Sequence, residues 1–140
     1  MVRILGLDIG ERWIGVAVSD PLGITAQGLE IIKRTEPEKD IERLLAVIEE
    51  YKAEEVVIGL PYAIDGKIGR EAEKVLAFSA LLEKKNIKVT YWDERFSTKA
   101  AERHLIDAGV RRKKRRLLVD KMAAVLILQG YLDRKRLRES

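Results

Sequence analysis

The spacing of hydrophobic and polar positions changes along this chain, from a period of two residues to a period of three or four. The first third carries short apolar runs rich in Ile and Val, which are typical of buried strands. Turn residues such as Asp20-Pro21-Leu22-Gly23 separate these runs, and the arrangement predicts an antiparallel meander. The three predicted strands are Val2–Ile9, Trp13–Ser19 and Ile24–Lys33.

The remaining two thirds alternate between helical and strand spacing. Ile41, Leu44 and Ile48 recur at helical intervals. Strands joined through helices run parallel with right-handed crossovers. The predicted elements are a helix over Glu38–Lys52, a strand over Glu55–Leu60, a helix over Glu71–Lys85, a strand over Ile87–Trp92, a helix from Ser97 or Thr98 to Ala108, and a last helix from Leu117 to about Leu132. We therefore predict an α/β fold, a mixed five-stranded sheet flanked by helices, as a single domain over residues 1–140 with a frayed tail at 134–140.

The composition narrows the chemistry that this domain can perform. The absence of Cys and the single His exclude a disulfide framework, thiol catalysis and His-rich metal sites. A metal site would have to use carboxylates, which favour Mg²⁺ or Mn²⁺. The net charge of +4 favours a polyanionic partner. Since the chain shows no signal-peptide pattern and no apolar stretch long enough to span a bilayer, we expect a cytoplasmic protein without a membrane partner.

Acidic residues at three distant positions are candidates for such a site. Asp8 ends a strand that otherwise reads as buried, where ligands of α/β sheets bind, although it could instead cap the strand–turn junction. Asp93 and Glu94 end the fifth strand on opposite faces, so only one of them can point at a shared site. Asp120 lies in the first turns of the predicted last helix, where the helix dipole alone would also explain an acid. The spacing leaves open whether these acids converge.

Basic residues lie close to the acids in the sequence. The run from Arg111 to Arg116 is predicted to repel itself and to stay outside regular structure, but its position before the Asp120 helix favours phosphate binding. Trp13 and Trp92 are predicted to be core residues. The candidate nucleic-acid-binding residues are Arg12, Arg95, Lys99, Arg111, Arg112, Lys113, Lys114, Arg115 and Arg116.

Six motifs together resemble the YqgF family, also called RuvX. They occur in family order and cover nearly everything from Val2 to Asp133. The motifs are Ile4-Leu5-Gly6-Leu7-Asp8-Ile9-Gly10, Ile14-Gly15-Val16-Ala17-Val18-Ser19-Asp20, Gly59-Leu60-Pro61, Asp65-Gly66, Asp93-Glu94-Arg95-Phe96-Ser97-Thr98 and the segment from Asp120 to Gln129. Each motif alone is weak, whereas the ordered set is highly specific.

The resemblance implies a ribonuclease-H-like fold with strand order 3-2-1-4-5 and strand 2 antiparallel. It also implies Mg²⁺- or Mn²⁺-dependent hydrolysis of phosphodiester bonds, with two ions bound together with the substrate. Asp8 and Asp120 would be catalytic metal ligands. RuvC-type resolvases carry a further acid at the end of strand four, where this chain has Gly59-Leu60-Pro61. That acid would then come from the end of strand five, as Glu94, with Asp93 as the alternate.

Three functions follow from the resemblance. The first is a nuclease that matures the 5′ end of pre-16S rRNA, with structured RNA as its substrate in a ribosome-assembly context. The second is a Holliday junction resolvase, which acts on branched DNA and needs a symmetric dimer. The third is a non-catalytic RNA-binding factor in ribosome assembly. We expect a monomer or a weak homodimer.

Overall fold

The computed structural model of the chain describes residues 3–62, 65–93, 109 and 112–139, and for 112–121 it describes the backbone alone. Three strands are followed by an alternation of helices and strands, as the change of spacing predicts. The elements are β1 (Arg3–Ile9), β2 (Trp13–Ser19), β3 (Ala26–Lys33), α1 (Pro37–Tyr51), β4 (Ala53–Leu60), α2 (Arg70–Glu83), β5 (Val89–Asp93) and α3 (Arg112–Glu139).

The five strands form one mixed sheet in the order β3-β2-β1-β4-β5. The meander strands pair antiparallel, β1 with β2 and β2 with β3. The strands that follow helices pair parallel, β1 with β4 and β4 with β5. The predicted sheet, strand order and antiparallel second strand are therefore confirmed.

One face of the sheet, here called the α1/α2 face, is covered by α1 and α2. Leu5, Leu7 and Ile9 of β1 point into a continuous apolar core on this face. Helix α1 begins with Pro37, whose fixed φ suits a first helical position. It buries Leu44, which has no exposed surface, into the same core.

The other face, here called the α3 face, is covered by α3. Ile4, Ala17 and Val57 of the sheet pack there against apolar side chains of the helix. Gly6 lets the helix come unusually close, because a Cβ at this position would lie 2.7 Å from the Cβ of Leu128. The helix therefore rests almost on the backbone of β1.

The last helix is longer at both ends than the sequence predicts. It begins at Arg112 rather than Leu117, so the prediction that the run 112–116 lies outside regular structure is wrong. It also continues to Glu139, through the segment that we expected to be frayed. Lys and Arg are good helix formers, and later turns that pack on the sheet already supply the costly nucleus, so added turns cost little. The predicted helix ending at Ala108 lies outside the described residues.

The remaining boundaries agree with the predictions to within two residues. No helix in the described part of the chain is long and apolar enough to cross a membrane.

Candidate active site

Asp8 is a buried carboxylate near the carboxyl end of the central strand. It is 8% exposed and pairs across the sheet with Gly15 of β2. In the parallel pairing, Leu7 lies opposite Ile58, so the next step along both strands brings Asp8 beside Gly59. The residue next to Asp8 is therefore a glycine on each of the two neighbouring strands.

The direction of Asp8 follows from the alternation of β1. Gly6 faces α3, since a Cβ there would lie 3.1 Å from the carbonyl oxygen of Ala124. Side chains two residues apart on a strand share a face, so Asp8 lies on the α3 face. Leu7 and Ile9 belong to the opposite core. Asp8 therefore interrupts the apolar packing on the face that α3 covers.

Asp93 does not share this face. Tyr91 packs on the α1/α2 face, whereas Trp92 packs on the α3 face. The alternation of β5 then puts Asp93, its last residue, on the side opposite to Asp8. Glu94, the residue that we favour on sequence grounds, lies outside the described residues.

The backbone of Asp120 belongs to α3, which runs antiparallel to β1. Leu132 and Ile4 line the same surface cavity, and Ala124, two turns earlier, reaches Gly6. Asp120 is one further turn before Ala124, in the direction in which β1 leads to Asp8. It is the ninth residue of a helix that begins at Arg112, and the helix dipole acts mainly within the first turn. The explanation of Asp120 by the dipole therefore loses its basis.

The basic residues predicted to bind nucleic acid fall into two described groups. Arg12 is exposed in the turn between β1 and β2, at the end of the sheet where Asp8 lies. Residues 112–116 form the first turns of α3. The other candidates, Arg95, Lys99 and Arg111, lie outside the described residues.

A polar cluster on the α3 face is a feature that sequence reasoning missed. Glu55 of β4 is buried and accepts hydrogen bonds from the hydroxyls of Thr90, at 2.6 Å, and Tyr131, at 2.7 Å. Burial opposes ionisation of Glu55, but these two bonds, with Lys88 and Lys135 nearby, hold its pKa below the usual value. Burial and the bond to Glu55 raise the pKa of Tyr131 to about 12.

This cluster ties α3 to β4 and β5. A Glu at the start of an apolar strand was a visible signal, but its partners come from distant segments. Spacing alone could not have identified them.

The two tryptophans behave differently. Trp92 packs against the core on the α3 face, as predicted. Trp13 is half-buried and lines a surface cavity. Among the described residues neither core includes it, so its prediction as a core residue is wrong. Trp13 is the first residue of β2 and adjoins the exposed turn, where apolar neighbours are few.

The described side chains do not by themselves complete a metal site. Within residues 3–62, 65–93 and the side chains of α3 from Met122 onward, no group of three or more acids and His could hold a metal ion. The proposed ligand Glu94 and the side chain of Asp120 lie outside this set. Among Asp8, Glu94 and Asp120, Asp8 is the one whose side chain the structure describes.

A mixed sheet in this order, with a helix laid across one face and an acid near the end of its central strand, defines the ribonuclease-H-like fold. Solved structures of Holliday junction resolvases share this fold. Thermus thermophilus RuvC in complex with a Holliday junction substrate aligns with a TM-score of 0.59 at 18% identity, covering 96% of both chains. The model of the family described as RuvX, Holliday junction resolvase, matches residues 2–134, and the chain belongs to this family.

Another solved structure with this fold is the Fowlpox virus resolvase in complex with its substrate Holliday junction DNA. It aligns with a TM-score of 0.57 at 15% identity and covers 96% of this chain and 99% of that chain. At these identities the two structures support the fold alone.

Curated relatives are much closer in sequence. A protein of Desulforamulus reducens is 54% identical over 133 residues, covering 94% of this chain and 97% of the relative. One from Clostridium kluyveri is 53% identical over 134 residues, covering 95% and 98%. Both carry the name "Putative pre-16S rRNA nuclease". The resemblance found from the sequence motifs is confirmed.

Proposed function

We propose that this protein is a cytoplasmic, divalent-metal-dependent nuclease that matures the 5′ end of pre-16S rRNA. The observation that carries the proposal is the buried carboxylate of Asp8 on the α3 face, with glycines beside it on both neighbouring strands. Its carboxylate oxygens are hard donors of the kind that divalent cations bind in proteins. The end of a central strand is also where α/β sheets bind their ligands.

The residues around Asp8 suit a hard divalent cation. The donors are carboxylate oxygens, which Mg²⁺ and Mn²⁺ prefer. Gly15 and Gly59 stand opposite and beside Asp8 in the sheet. We propose that Asp8, Glu94 and Asp120 hold the metal. When bound, two ions supply an activated water and stabilise the charge on the leaving 3′ oxygen.

The path of α3 supports the assignment of Asp120. Between Ala124 and Asp120 the helix rises about 6 Å, and between Gly6 and Asp8 the strand rises about 7 Å. The two elements run antiparallel and touch at Gly6 and Ala124. Equal steps from this contact lead to Asp8 on the strand and to Asp120 on the helix.

The alternation of β5 supports Glu94 over Asp93. The residues of β5 on the α3 face are Thr90 and Trp92, and continued alternation would give Glu94 the same face. Strand β5 lies two strand spacings from β1, about 10 Å. A side chain from β5 must therefore reach across Gly59, and Glu has the longer reach.

The basic residues supply phosphate contacts in this proposal. Arg12 is exposed in the turn between β1 and β2, and residues 112–116 lie one to two turns before Asp120 on α3. Positive charge at a helix N-terminus opposes the helix dipole, so those side chains are a cost to the isolated protein. Phosphates of a bound nucleic acid would offset that cost.

The close relatives favour RNA as the substrate. Proteins more than 50% identical to this chain carry a name that refers to pre-16S rRNA. The alternative, resolution of branched DNA, rests on the description of the family model. Solved resolvases share the fold at 18% identity or less.

The change Asp8→Asn tests the proposal. It removes a charged oxygen ligand and keeps the size of the side chain. Since loss of a residue that merely supports a ligand costs roughly 10- to 100-fold, we expect cleavage of a pre-16S 5′ fragment in Mg²⁺ or Mn²⁺ to fall by more than about 100-fold. Binding of the same RNA should persist. The matched control is Asp133→Asn, an exposed acid of α3, which should leave cleavage unchanged.

The outcomes separate the alternatives. Full cleavage by the Asp8→Asn variant contradicts the site. Cleavage of junction DNA but not of RNA by the wild-type protein, together with a dimer in size measurement, selects the resolvase. RNA binding without cleavage of either substrate selects the non-catalytic assembly factor.

A further inference from the structure

A cavity of about 450 Å³ opens at the turn between β1 and β2. Trp13 lines it together with the basic residues Arg12, Lys33 and Arg34 and one acid, Glu11. The volume lies within the range of small-molecule and cofactor sites. An aromatic ring among basic side chains is the combination by which proteins hold unpaired nucleotides.

Trp13 lies on the same face of the sheet as Asp8. Ile14 belongs to the core on the α1/α2 face, so the adjacent Trp13 belongs to the α3 face. Asp8 pairs with Gly15, and Trp13 is two residues from Gly15 on the same strand. Such diagonal neighbours are about 7–8 Å apart, within reach of an aromatic side chain. The glycine between them puts no side chain in the way.

The charges around the cavity differ in how they are held. Arg34 donates a hydrogen bond of 2.8 Å to the carbonyl of Gly10 and lies 3.6 Å from the buried carboxylate of Asp40. Its charge is thus compensated, and it helps to fix the wall of the cavity. Arg12 and Lys33 are exposed, and Lys33 lies directly opposite Trp13 in the sheet. These two side chains can contact phosphates on either side of a base at Trp13.

We propose that this cavity binds one unpaired nucleotide next to the phosphodiester bond that is cleaved. The base stacks on Trp13, and Arg12 and Lys33 contact the flanking phosphates. The inference rests on the proposed nuclease function and specifies its substrate class: the strand is single-stranded at the point of cleavage. A duplex arm keeps its bases stacked on each other and offers none to the indole ring.

Binding of short labelled oligoribonucleotides, measured by fluorescence anisotropy without Mg²⁺ or Mn²⁺, tests this site. Trp13→Ala should weaken binding of a single-stranded RNA roughly tenfold or more, because stacking of a base on an aromatic ring has about that effect. Binding of the duplex of the same sequence should change by less than about twofold, since its bases are not available to the ring. Trp13→Phe should restore most of the affinity.

Two matched lysine variants distinguish binding at this cavity from a general effect of positive charge. Lys33→Gln should weaken single-strand binding, whereas Lys85→Gln, in the groove between α1 and α2, should not. If Trp13→Ala melts like the wild-type protein and binds single strands equally well, the proposal is wrong. It is also wrong if that variant loses affinity for both RNAs alike.

A crosslink decides the matter should Trp13→Ala fail to fold. A single-stranded RNA with 4-thiouridine should crosslink under ultraviolet light to the peptide that contains Trp13. Crosslinks confined to other peptides would overturn the proposal. Because these readouts need no cleavage, they report on the cavity even if the Asp8→Asn test removes the nuclease assignment.

Discussion

The two faces of the sheet are built on different principles. On the α1/α2 face, alternate residues from Leu5 to Ile9 in β1, from Ile14 to Val18 in β2 and from Val56 to Leu60 in β4 are large aliphatic side chains in one continuous core. On the α3 face, the corresponding positions of β1 are Ile4, Gly6 and Asp8, so that an apolar residue, a glycine and an acid follow each other. The α1/α2 face stabilises the fold through buried apolar area. On the α3 face, a glycine and an acid stand in place of large apolar side chains, so that a helix packs close to a strand that carries a carboxylate.

Substitutions on the two faces of the sheet are therefore expected to differ in their effects on stability and on catalysis. Changes on the α1/α2 face should act on folding and leave the chemistry of the folded molecule alone. Changes on the α3 face should act on both, since α3 includes Asp120 and packs on the face where Asp8 lies.

The largest effect on stability is expected from Leu44→Ala on the α1/α2 face. Leu44 is fully buried, and truncation of such a leucine costs about 2–5 kcal/mol. Urea unfolding should show this loss, while the remaining folded protein keeps its cleavage rate. Leu22→Ala, at a leucine that is 66% exposed, is the control and should cost less than about 0.5 kcal/mol. If Leu44→Ala lowers the free energy of unfolding by less than about 1 kcal/mol, the core on this face is not the main source of stability.

A smaller loss of stability, joined to a loss of activity, is expected from Gly6→Ala on the α3 face. The new Cβ would lie 2.7 Å from the Cβ of Leu128 and 3.1 Å from a backbone oxygen of α3. The helix must move, at a cost of about 1–3 kcal/mol. Because Asp120 moves with it, the cleavage rate of the folded fraction should also fall.

Gly69→Ala is the matched control for that change, since no atom lies within 4 Å of the Cβ it would add. Because Gly69 is the N-cap of α2, where Ala is less favourable than Gly, the change should cost about 1 kcal/mol or less in urea, and it should leave cleavage near wild type. If Gly6→Ala keeps full activity per folded molecule, the position of α3 does not matter to the site.

The smallest effect is expected from Tyr131→Phe, which removes one hydrogen bond to the buried Glu55. Hydrogen bonds to charged groups contribute about 1.5–3 kcal/mol to stability. Because Tyr131 is only partly buried, we expect the free energy of unfolding to fall by about 1.5 kcal/mol or less. Tyr91→Phe is the comparison on the other face, where the hydroxyl bonds Ser79 and the exposed Glu83. It should cost less.

The pH dependence of unfolding sharpens this test. The folded protein raises the pKa of Tyr131 from 10.0 to about 12. Below pH 10 both states hold the proton, and between pH 10 and 12 the unfolded chain loses it first. The wild-type free energy of unfolding should therefore decline across that interval more steeply than that of Tyr131→Phe. Parallel curves would show that the hydroxyl is not held by Glu55.

Much of the fold could be predicted from the sequence because its signals are local. Alternating apolar residues and the turn at Asp20-Pro21 indicate the meander, and helical spacing at Ile41 and Leu44 indicates the crossover. Repulsion between like charges does not predict the start of α3, because helix propensity and the packing of later turns outweigh it. The spacing within β2 does not predict the exposure of Trp13, because that exposure depends on the end of β3 and the start of α1.

The candidate site was less predictable for a related reason. Asp8 stands out as an acid in an apolar strand, but its neighbours Gly15 and Gly59 come from other strands and become visible only through the register. The alternation of β5 does separate Asp93 from Glu94 in the sequence, and the packing of Tyr91 and Trp92 on opposite faces agrees with it.

The most direct test of the account is a crystal structure of the protein soaked in Mn²⁺, with the ion located by its anomalous signal. The account predicts an ion on the α3 face, with oxygens of Asp8, Glu94 and Asp120 as ligands, and its loss in the Asp8→Asn variant. A well-ordered structure with no ion at Asp8, or with Asp120 turned away from an ion held there, would contradict the central claim that α3 and β1 build one metal site.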